Sequence, residues 1–425
     1  MTVRINKPVQ GGIIKAISSK SEAQRLLICS ALADRETFVE CSDVSDDINA
    51  AVSCLEAMGA QIQYMNGGFF VSPILQTNDE KLKPKIELNC GESGAVLRFL
   101  LPICGSLGIN ASFNMKGRLP ERPLTALRDE MTAKGCVLSE PGISPLNCSG
   151  KLSNGVYSLP GNISSQFISG LLFALPLLEE ESIIRISGIL ESRPYIDMTL
   201  DAIRLFGINI IEEGQDFRIP GAQNYCSPGK VKAGGDWSNA AFWLAAGAIG
   251  NNALSCTGLD LDSVQGDKAI MGFLQGFGAG LSHDKNTVNV KRGKIEAIEI
   301  DASATPDLVP VLAAVASLAK GKTLIRNAGR LRIKESNRLH TVAQSLSGLG
   351  ADIFETEDGL VITGKENLTG GEIQSYGDHR IAMTAAIISS ACTGFVVIHG
   401  AEAVNKSYPA FFEDFKSLGG EFEYV

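Results

Sequence analysis

The sequence predicts an α/β protein built from six repeats of about 70 residues, and three observations support this. First, a helical pattern that ends in glycine recurs six times, with successive glycines 76, 72, 71, 72 and 69 residues apart. Second, a helix that is apolar nearly all round shares this period. Third, short β-rich segments such as residues 156–160 and 360–364 separate the helices. The six marker glycines are Gly59, Gly135, Gly207, Gly278, Gly350 and Gly419.

Each marker glycine follows an amphipathic helix. In the first repeat Ala51, Leu55 and Met58 lie at positions i, i+4 and i+7, which places them on one apolar face before Gly59. Glycine is expected just past a helix end because it enters the left-handed backbone region without a Cβ penalty. The pattern therefore predicts one amphipathic helix per repeat, ending at the marker glycine.

The other helix of each repeat has no polar face, which is typical of a buried helix. Each repeat is thus predicted as strand, buried helix, strand, amphipathic helix and two strands. Six such units would form two lobes of three, although the sequence leaves open which three belong together. The Gly-rich segment 230–237 is the best candidate for a hinge. The buried helices are expected at residues 25–33, 96–107, 168–178, 240–249, 308–319 and 381–391.

Composition excludes several classes of protein. Hydrophobic residues make up 44% of the chain and charged residues 20%, a balance that excludes a wholly disordered protein. The net charge of −9 argues against a general nucleic-acid binder. No apolar stretch reaches the ~18 residues of a membrane span, and the N-terminus lacks a signal-peptide pattern. The ten cysteines show no C-x-x-C pattern and are expected in the core. We therefore expect a soluble, cytoplasmic protein that binds neither membranes nor nucleic acids.

No metal site and no cofactor are expected. The four histidines have no ligand spacing to cysteine or carboxylate residues. The sequence also lacks the G-x-x-x-x-G-K-[ST] loop that holds nucleotide phosphates.

Cationic and hydroxyl side chains gather where the buried helices begin. Helix N-termini carry a positive partial charge, so added Lys and Arg side chains there favour anions. Lys20, Ser21 and Arg25 open the first buried helix, with Ser21 and Arg25 predicted on one face. A plain helix cap is the alternative explanation at each of these places. The corresponding positions hold Gly94 with Arg98 in the second repeat, Ser164, Ser165 and Gln166 in the third, Asp307 in the fifth and Arg380 in the sixth.

The loops before the amphipathic helices carry charges as well, at residues 118–123, 192–195, 334–338 and 405–409. Lys334 and Arg338 are four residues apart and are predicted to share a helical face, with Glu335 beside them. An isolated surface ion pair contributes only about 0.3–0.5 kcal/mol. Recurrence of cations at one structural place in an acidic chain instead indicates a site for strongly anionic substrates. Asp307 and Glu335 are the acids placed for proton transfer.

Nine segments, in order and at matching spacing along the whole chain, resemble the EPSP synthase family of 3-phosphoshikimate 1-carboxyvinyltransferases. The resemblance implies a two-lobed inside-out α/β barrel of the enolpyruvyl transferase type, with six βαβαββ repeats and three repeats per lobe. It also implies a discontinuous lobe of residues 1–18 and 234–425, a second lobe of 19–233, and a hinge near 16–20 and 230–236. The segments are SKSEAQR (19–25), GESGAVLR (91–98), LPERP (119–123), SSQF (164–167), SRPYID (192–197), PDLVP (306–310), RIKESNR (332–338), GDHRIAM (377–383) and NKSYPAFF (405–412).

The activity that the resemblance implies is transfer of the enolpyruvyl group of phosphoenolpyruvate to the 5-hydroxyl of shikimate 3-phosphate, through a tetrahedral ketal. This step leads to chorismate and the aromatic amino acids. Asp307 would be the base on the hydroxyl, Glu335 would protonate the methylene carbon, and Lys20 would assist. A monomer is expected, and glyphosate is a candidate inhibitor.

The same resemblance implies two sets of substrate contacts. Shikimate 3-phosphate would contact Lys20, Ser21, Arg25, Ser164, Ser165, Gln166, Ser192, Tyr195, Asp307 and Lys334. Phosphoenolpyruvate would contact Lys20, Gly94, Arg122, Gln166, Arg338, Arg380 and Lys406.

The chain departs from the family pattern at three positions. Glu92 stands where many members have Asn, Ala95 where Thr is common, and Arg330 where some members have Asn. Three other functions are alternatives. UDP-N-acetylglucosamine enolpyruvyl transferases share the fold but use a Cys in the loop that is here residues 114–118, without Cys. An inactive anion-binding protein would not need both acids, and an RNA-processing cyclase would need a catalytic His in the last repeat.

Overall fold

The computed structural model describes residues 1–74 and 85–425, which form 24 β-strands and 12 α-helices. The strands are β1 (Thr2–Lys7), β2 (Gly12–Lys15), β3 (Thr37–Glu40), β4 (Gln61–Met65), β5 (Gly68–Ser72), β6 (Ile86–Gly91), β7 (Ala111–Met115), β8 (Cys136–Leu138), β9 (Leu146–Gly150), β10 (Val156–Pro160), β11 (Ser182–Ser187), β12 (Ile211–Glu213), β13 (Asp216–Ile219), β14 (Lys230–Lys232), β15 (Leu254–Thr257), β16 (Gly280–His283), β17 (Thr287–Lys291), β18 (Glu299–Asp301), β19 (Lys322–Arg326), β20 (Asp352–Glu355), β21 (Leu360–Thr363), β22 (Gly371–Gln374), β23 (Val396–His399) and β24 (Glu421–Tyr424). The helices are α1 (Lys20–Ala31), α2 (Asp46–Ala57), α3 (Gly94–Leu107), α4 (Thr125–Ala133), α5 (Ser165–Ala174), α6 (Arg193–Leu205), α7 (Trp237–Ile249), α8 (Ile270–Phe277), α9 (Val309–Ala316), α10 (Arg338–Gly348), α11 (His379–Ile388) and α12 (Phe411–Ser417).

Each repeat forms one four-stranded sheet. In the second repeat β6 and β7 pair in parallel around α3, and β8 and β9 follow α4 as an antiparallel pair. The strand order β6-β7-β9-β8 recurs in kind in all six sheets, which confirms the predicted α/β class and the six βαβαββ repeats. The other sheets are β14-β3-β5-β4, β10-β11-β13-β12, β16-β17-β15-β2, β18-β19-β21-β20 and β22-β23-β1-β24.

The chain divides into two compact units: a first unit of Met1–Ser19 with Gly234–Val425, and a second unit of Lys20–Ala233. Strands from distant parts of the chain complete three sheets. β1 pairs with β23 and β24 and so closes the sixth repeat, while β2 pairs in parallel with β15 and opens the fourth. β14 pairs in parallel with β3 and opens the first repeat. Each unit therefore contains three complete sheets.

Each unit also has its own core. In the second unit α1, α3 and α5 are buried, and Phe99 packs edge-on against Phe173 with ring centroids 5.4 Å apart. In the first unit α7, α9 and α11 are buried, and Trp243 stacks on Phe411 at 4.8 Å. Eight of the ten cysteines are buried, as the sequence predicts, and all ten are free. The apolar helices thus fill the two cores, which fixes where their N-termini emerge.

The six marker glycines all end their helices with a positive φ, between +80° and +110°. Each one lies one or two residues after the last residue of an amphipathic helix, at the ends of α2, α4, α6, α8, α10 and α12. This confirms the prediction made from their spacing, because L-residues rarely adopt that backbone conformation.

Alanine substitutions at two of these glycines distinguish the cost of backbone strain from the cost of a steric clash. Among residues 1–74 and 85–425, Ile74 alone would lie within 4 Å of a Cβ added at Gly59, at 3.8 Å, whereas at Gly135 the added Cβ would lie 2.6 Å from the Lys151 carbonyl oxygen. We expect Gly59→Ala to lower the free energy of unfolding by about 1–3 kcal/mol from backbone strain alone. Gly135→Ala should cost about 1 kcal/mol more because the carbonyl must move. Denaturant unfolding of both variants checks this, and equal effects would contradict it.

Candidate active site

Arg25 anchors the start of α1 in the second unit. It is 3% exposed, and its guanidinium donates to Thr199 Oγ1 at 2.9 Å, to the Ser21 carbonyl at 2.7 Å and to the Tyr195 carbonyl at 2.9 Å. Burial lowers the pKa of Arg25 to about 10, which leaves it charged at neutral pH. The four-residue spacing does bring Ser21 and Arg25 together. The predicted cation is therefore held rigidly at a helix start.

Lys20 lies at the first position of α1 and pairs with a carboxylate that sequence reasoning missed. Its Nζ is 2.8 Å from Oδ2 of Asp47, which is 5% exposed and lies in the first turn of α2. Gln24 donates to the Asp47 carbonyl at 2.9 Å and to Ser93 Oγ at 3.3 Å. These contacts connect the starts of α1, α2 and α3. The acidic start of α2 is also what a helix dipole favours, so the sequence did not reveal this pairing.

Two guanidinium groups fill the space beside Gly94. A Cβ added at Gly94 would lie 2.7 Å from Arg98 Nη1 and 2.8 Å from Arg122 Nη1. Arg98 also donates to Gln166 Oε1 at 2.8 Å and to the Pro123 carbonyl at 3.0 Å. Glycine at position 94 thus lets two arginines approach the N-terminus of α3. Planar guanidinium groups at a helix start suit carboxylate and phosphate oxygens.

Three serines border the starts of α5 and α6. Ser164 caps α5 and accepts from the Gln166 backbone N–H at 3.3 Å, and Ser165 is the first residue of that helix. Ser192 precedes α6 with φ +53°, although it is not glycine, and is 4% exposed. Its carbonyl accepts from the Tyr195 N–H at 3.1 Å. A left-handed backbone at a non-glycine residue costs about 1–3 kcal/mol and is typical of functional sites.

In the first unit, Arg338 is surrounded by three carboxylates. It is 1% exposed, and its nitrogens lie 2.8 Å from Asp378 Oδ2, 2.9 Å from Asp307 Oδ1 and 2.8 Å from Glu335 Oε2. Burial alone would lower the pKa of Arg338, but the charges of Asp378, Glu335 and Asp307 outweigh it and raise the pKa. Arg338 therefore holds both predicted proton-transfer acids in one buried network.

Asp307 joins this network to two more cations. Its Oδ2 accepts from Arg380 Nη2 at 3.0 Å, and Lys334 Nζ lies 3.7 Å from Oδ1. Burial would raise the pKa of Asp307, but Arg380, Lys334 and Arg338 together hold it well below its usual range. The carboxylate is consequently ionised at neutral pH. Asp307, Lys334, Glu335, Arg338 and Arg380 are called the acid–cation cluster below.

The prediction that Lys334 and Arg338 share a helical face is wrong. Helix α10 begins at Arg338, and Lys334 has an extended backbone after the 3₁₀ turn Gly329–Ile333. Asn337 caps α10 by accepting from the His340 N–H at 3.4 Å, so the helix does not continue toward Lys334. Lys334 and Arg338 converge on Asp307 through tertiary structure instead.

Lys406 and Asp378 complete the first unit's set. Lys406 ends the 3₁₀ turn Ala401–Lys406 and is 7% exposed, and the next residue, Ser407, donates to Asn239 Oδ1 at 3.3 Å. Asp378 caps α11 through the Arg380 N–H at 3.0 Å and is fully buried. An Asp at this place is also what a plain helix cap requires. Its pairing with Arg338, 40 residues away along the chain, needed the fold.

The predicted residues fall into two sets, one in each unit. The first unit holds Asp307, Lys334, Glu335, Arg338, Arg380 and Lys406, and the second holds Lys20, Ser21, Gly94, Arg25, Arg122, Ser164, Ser165, Gln166, Ser192 and Tyr195. Within residues 1–74 and 85–425 no group of three or more His, Cys, Asp or Glu side chains is placed to hold a metal ion. Among the helices of those same residues, none combines the length and the apolar character that crossing a bilayer requires.

The three departures from the family pattern have identifiable places. The Glu92 carboxylate is turned toward Gly117, where it occupies the space of a side chain. Ala95 is the second residue of α3 and is half-buried. Arg330 lies in the first unit and donates to the Ser303 carbonyl at 2.7 Å.

Comparisons with known proteins agree on one family. The family model described as EPSP synthase (3-phosphoshikimate 1-carboxyvinyltransferase) matches residues 3–415. A 3-phosphoshikimate 1-carboxyvinyltransferase of Clostridium kluyveri is 43% identical over 425 residues, covering 99% of this chain and 98% of the relative. That of Clostridium acetobutylicum is 44% identical over 424 residues, covering 99% and 97%.

A solved structure shows the same fold. The EPSP synthase of Acinetobacter baumannii superimposes with a TM-score of 0.81 at 24% identity, with complete coverage of both chains. The predicted enolpyruvyl transferase fold and the resemblance read from the nine segments are confirmed. This chain belongs to the EPSP synthase family, the 3-phosphoshikimate 1-carboxyvinyltransferases.

Proposed function

We propose that this chain transfers the carboxyvinyl group of phosphoenolpyruvate to the 5-hydroxyl of shikimate 3-phosphate, releasing phosphate. Family membership over nearly the full length supports this reaction. The predicted enzyme class, a transferase of the shikimate pathway and aromatic amino acid biosynthesis, is confirmed by the same match.

One observation carries the function: Asp307 and Glu335 both bind Arg338, in a cluster that also holds Lys334 and Arg380. The reaction needs a base for the hydroxyl and an acid for the methylene carbon, and it needs cations for the substrate phosphate and carboxylate. The acid–cation cluster supplies two carboxyl groups and three cations within one unit.

The residues of the second unit are proposed to bind the anionic groups of both substrates. Lys20, Ser21 and Arg25 at the start of α1, with Ser164, Ser165 and Ser192, would hold the phosphate of shikimate 3-phosphate, and Tyr195 would border it. Gly94 and Arg122 at the start of α3 would hold phosphoenolpyruvate, with Gln166 between the substrates and Lys20 reaching both. Buried arginines and helix starts suit such anions. In the first unit Arg338, Arg380 and Lys406 would bind phosphoenolpyruvate and Lys334 would bind the shikimate.

The reaction is proposed to proceed by addition followed by elimination. Asp307 accepts the proton of the 5-hydroxyl while the hydroxyl oxygen bonds to C2 of phosphoenolpyruvate. Glu335 gives a proton to C3, which becomes a methyl group. The Glu335 carboxylate then takes a proton back from the methyl group, which re-forms the double bond as the C2–O bond to phosphate breaks, and the proton on Asp307 leaves with the phosphate. Each positioned acid or base contributes about 10²–10⁴-fold. The surrounding cations stabilise the phosphate that leaves.

Substrate binding is proposed to raise the pKa of Asp307. Arg380 and Lys334 hold the pKa of Asp307 low in the unbound chain, which makes its carboxylate a weak base. Anionic substrates that engage the same cations would weaken their effect on Asp307. Its pKa would rise toward its usual range, and the carboxylate would become a better proton acceptor.

The function is tested by phosphate release from the purified protein given phosphoenolpyruvate and shikimate 3-phosphate. UDP-N-acetylglucosamine serves as the control acceptor, because the related enolpyruvyl transferases use it. We expect release with shikimate 3-phosphate only. A folded protein that releases no phosphate with either acceptor would contradict the proposal and favour an anion-binding role.

Gly94→Ala is expected to raise KM for phosphoenolpyruvate about tenfold or more, which corresponds to ~1.4 kcal/mol of binding free energy. The new Cβ would lie within 2.8 Å of both Arg98 and Arg122, so both guanidiniums must move. KM for shikimate 3-phosphate should change much less. Gly272→Ala is the control because no atom of the described part of the chain lies within 4 Å of its added Cβ. An unchanged KM for phosphoenolpyruvate in Gly94→Ala would contradict the assignment of Gly94 to the phosphoenolpyruvate site.

We also propose that the enzyme acts in the cytoplasm as a monomer. Ten free cysteines, eight of them buried, support a reducing compartment. Glyphosate, a phosphonate with a carboxylate, is proposed to compete for the cations that bind phosphoenolpyruvate. Size-exclusion chromatography tests the monomer, and inhibition kinetics test competition by glyphosate.

A further inference from the structure

Thr199 links the buried Arg25 to two other helices of the second unit. Its Oγ1 accepts from Arg25 Nε at 2.9 Å and lies 2.8 Å from Ser169 Oγ on α5. Thr199 and Ser169 are both fully buried, and Thr199 lies in α6. Because a guanidinium can only donate hydrogen bonds, the threonine oxygen must be the acceptor of the first contact. One hydroxyl group therefore joins α1, α6 and α5 around the cation.

The Thr199 hydroxyl is itself fixed in place. It can donate to Ser169 Oγ at 2.8 Å or to the Tyr195 carbonyl, one turn earlier in α6, at 3.2 Å. Either donation leaves a lone pair of Oγ1 for Arg25 Nε. A β-branched side chain in a helix also has few χ1 rotamers, so the oxygen does not readily turn away from Arg25. The acceptor for the guanidinium is consequently pre-organised by the helix that carries it.

The contacts of Arg25 leave part of its guanidinium for a ligand. The group has five N–H bonds. Within residues 1–74 and 85–425, Nε binds Thr199, Nη1 binds the Ser21 carbonyl and Nη2 binds the Tyr195 carbonyl. Each Nη therefore keeps one N–H bond, and the two together suit the oxygens of a phosphate or carboxylate group. All three acceptors are neutral oxygens, so these contacts orient the cation without cancelling its charge.

The Phe99 ring on α3 adds a restraint on one face of the guanidinium, because Arg25 Cζ lies 5.1 Å from the ring centre. We propose that Thr199 is a positioning residue: by accepting from Nε, it sets the orientation in which the two Nη groups of Arg25 bind shikimate 3-phosphate. This inference rests on the proposed function, in which Arg25 contacts that substrate. Thr199 itself does not touch the substrate.

Thr199→Val removes the acceptor and keeps the shape of the side chain. Arg25 Nε would then lose its hydrogen bond in a buried place, and the guanidinium would turn to recover a partner. We expect the dissociation constant of shikimate 3-phosphate, measured by titration calorimetry, to rise about tenfold or more, the size expected for a hydrogen bond to a charged group. KM for shikimate 3-phosphate should rise in parallel. KM for phosphoenolpyruvate at saturating shikimate 3-phosphate should stay within about twofold.

Two further variants distinguish positioning from a general loss of structure. Thr199→Ser keeps the hydroxyl acceptor, so its dissociation constant should return to within about threefold of the wild type. Thr323→Val makes the same substitution at a fully buried threonine of β19, whose Oγ1 has no hydrogen-bond partner among the described residues, and it should leave the dissociation constant unchanged. Denaturant unfolding checks that each variant is folded. If Thr199→Val does not fold, Thr199→Ala gives the same comparison, because it also lacks the acceptor.

The outcomes separate this proposal from the proposed function. An unchanged dissociation constant in Thr199→Val would overturn the positioning role, as would equal rises in both KM values or a Thr199→Ser variant that binds as weakly as Thr199→Val. A wild-type protein that binds shikimate 3-phosphate but releases no phosphate with phosphoenolpyruvate would instead contradict the proposed function. The binding comparison would still decide the role of Thr199, because it does not depend on turnover.

Discussion

Glu335→Gln is expected to lower kcat by about 10²–10⁴-fold with little change in either KM. The amide oxygen can still accept from Arg338, which lies 2.8 Å from Glu335 Oε2, so the network around the arginine stays in place. The amide has no acidic proton for the methylene carbon of phosphoenolpyruvate. Steady-state phosphate release under saturating substrates measures the effect.

A surface glutamate provides the control for this variant. Glu299→Gln removes a carboxylate that lies 3.6 Å from Arg326 on the surface of the same unit, and its kcat should match the wild type. A Glu335→Gln enzyme with kcat within a few-fold of the wild type would exclude Glu335 as the proton donor, and the assignment would then have to pass to another group.

Arg338→Met is expected to abolish activity and to lower the free energy of unfolding of the first unit by about 3–5 kcal/mol. The substitution keeps an apolar stem but leaves Asp307, Glu335 and Asp378 without the cation that they share. Buried carboxylates that lose their counter-charge are costly. Denaturant unfolding at neutral pH measures the loss.

The pH dependence of this destabilisation has a defined sign. In the wild type Asp307 has a lowered pKa, so its stabilising contribution is present above the ordinary value of 3.8 and is lost as the pH falls through the folded pKa, well below the usual range. In the variant the carboxylates lack the shared cation, so burial raises their pKa and they become protonated as the pH falls. The variant should therefore be most destabilised near neutral pH and less so toward pH 4. Arg204→Met removes an exposed pair with Asp201 and should cost only about 0–1 kcal/mol. Equal losses in the two variants would contradict a buried network.

The repeat architecture was predictable because each repeat has local signals that do not depend on the rest of the chain. A glycine such as Gly278 ends its helix with a φ of +98°, and that requirement is visible in the sequence. The pairing of strands from distant parts of the chain could not be predicted in this way. β1 and β14 are short segments with no property that identifies their distant partners, β23 and β3. Only the resemblance to a family implied that the N-terminal strand joins the C-terminal half.

The candidate site was predictable where function depends on a helix start. Lys20 and Arg25 lie at the start of α1 as the sequence implies, because an apolar helix fixes its own first residues. Their carboxylate and hydroxyl partners, such as Asp47 and Thr199, lie on other elements and had no recognisable pattern. Lys334 was placed on the wrong element because a four-residue spacing suggested a helix, whereas Asn337 starts α10 after it.

The most direct test of the central claim is which bond of phosphoenolpyruvate breaks. Phosphoenolpyruvate carrying oxygen-18 between C2 and phosphorus is incubated with shikimate 3-phosphate and the enzyme, and the phosphate is analysed by mass spectrometry. Carboxyvinyl transfer breaks the C2–O bond, so we predict that all of the label appears in phosphate. Label retained in pyruvate would mean that the P–O bond breaks, and the chain would then be a phosphoryl-transfer or hydrolytic enzyme rather than a carboxyvinyltransferase.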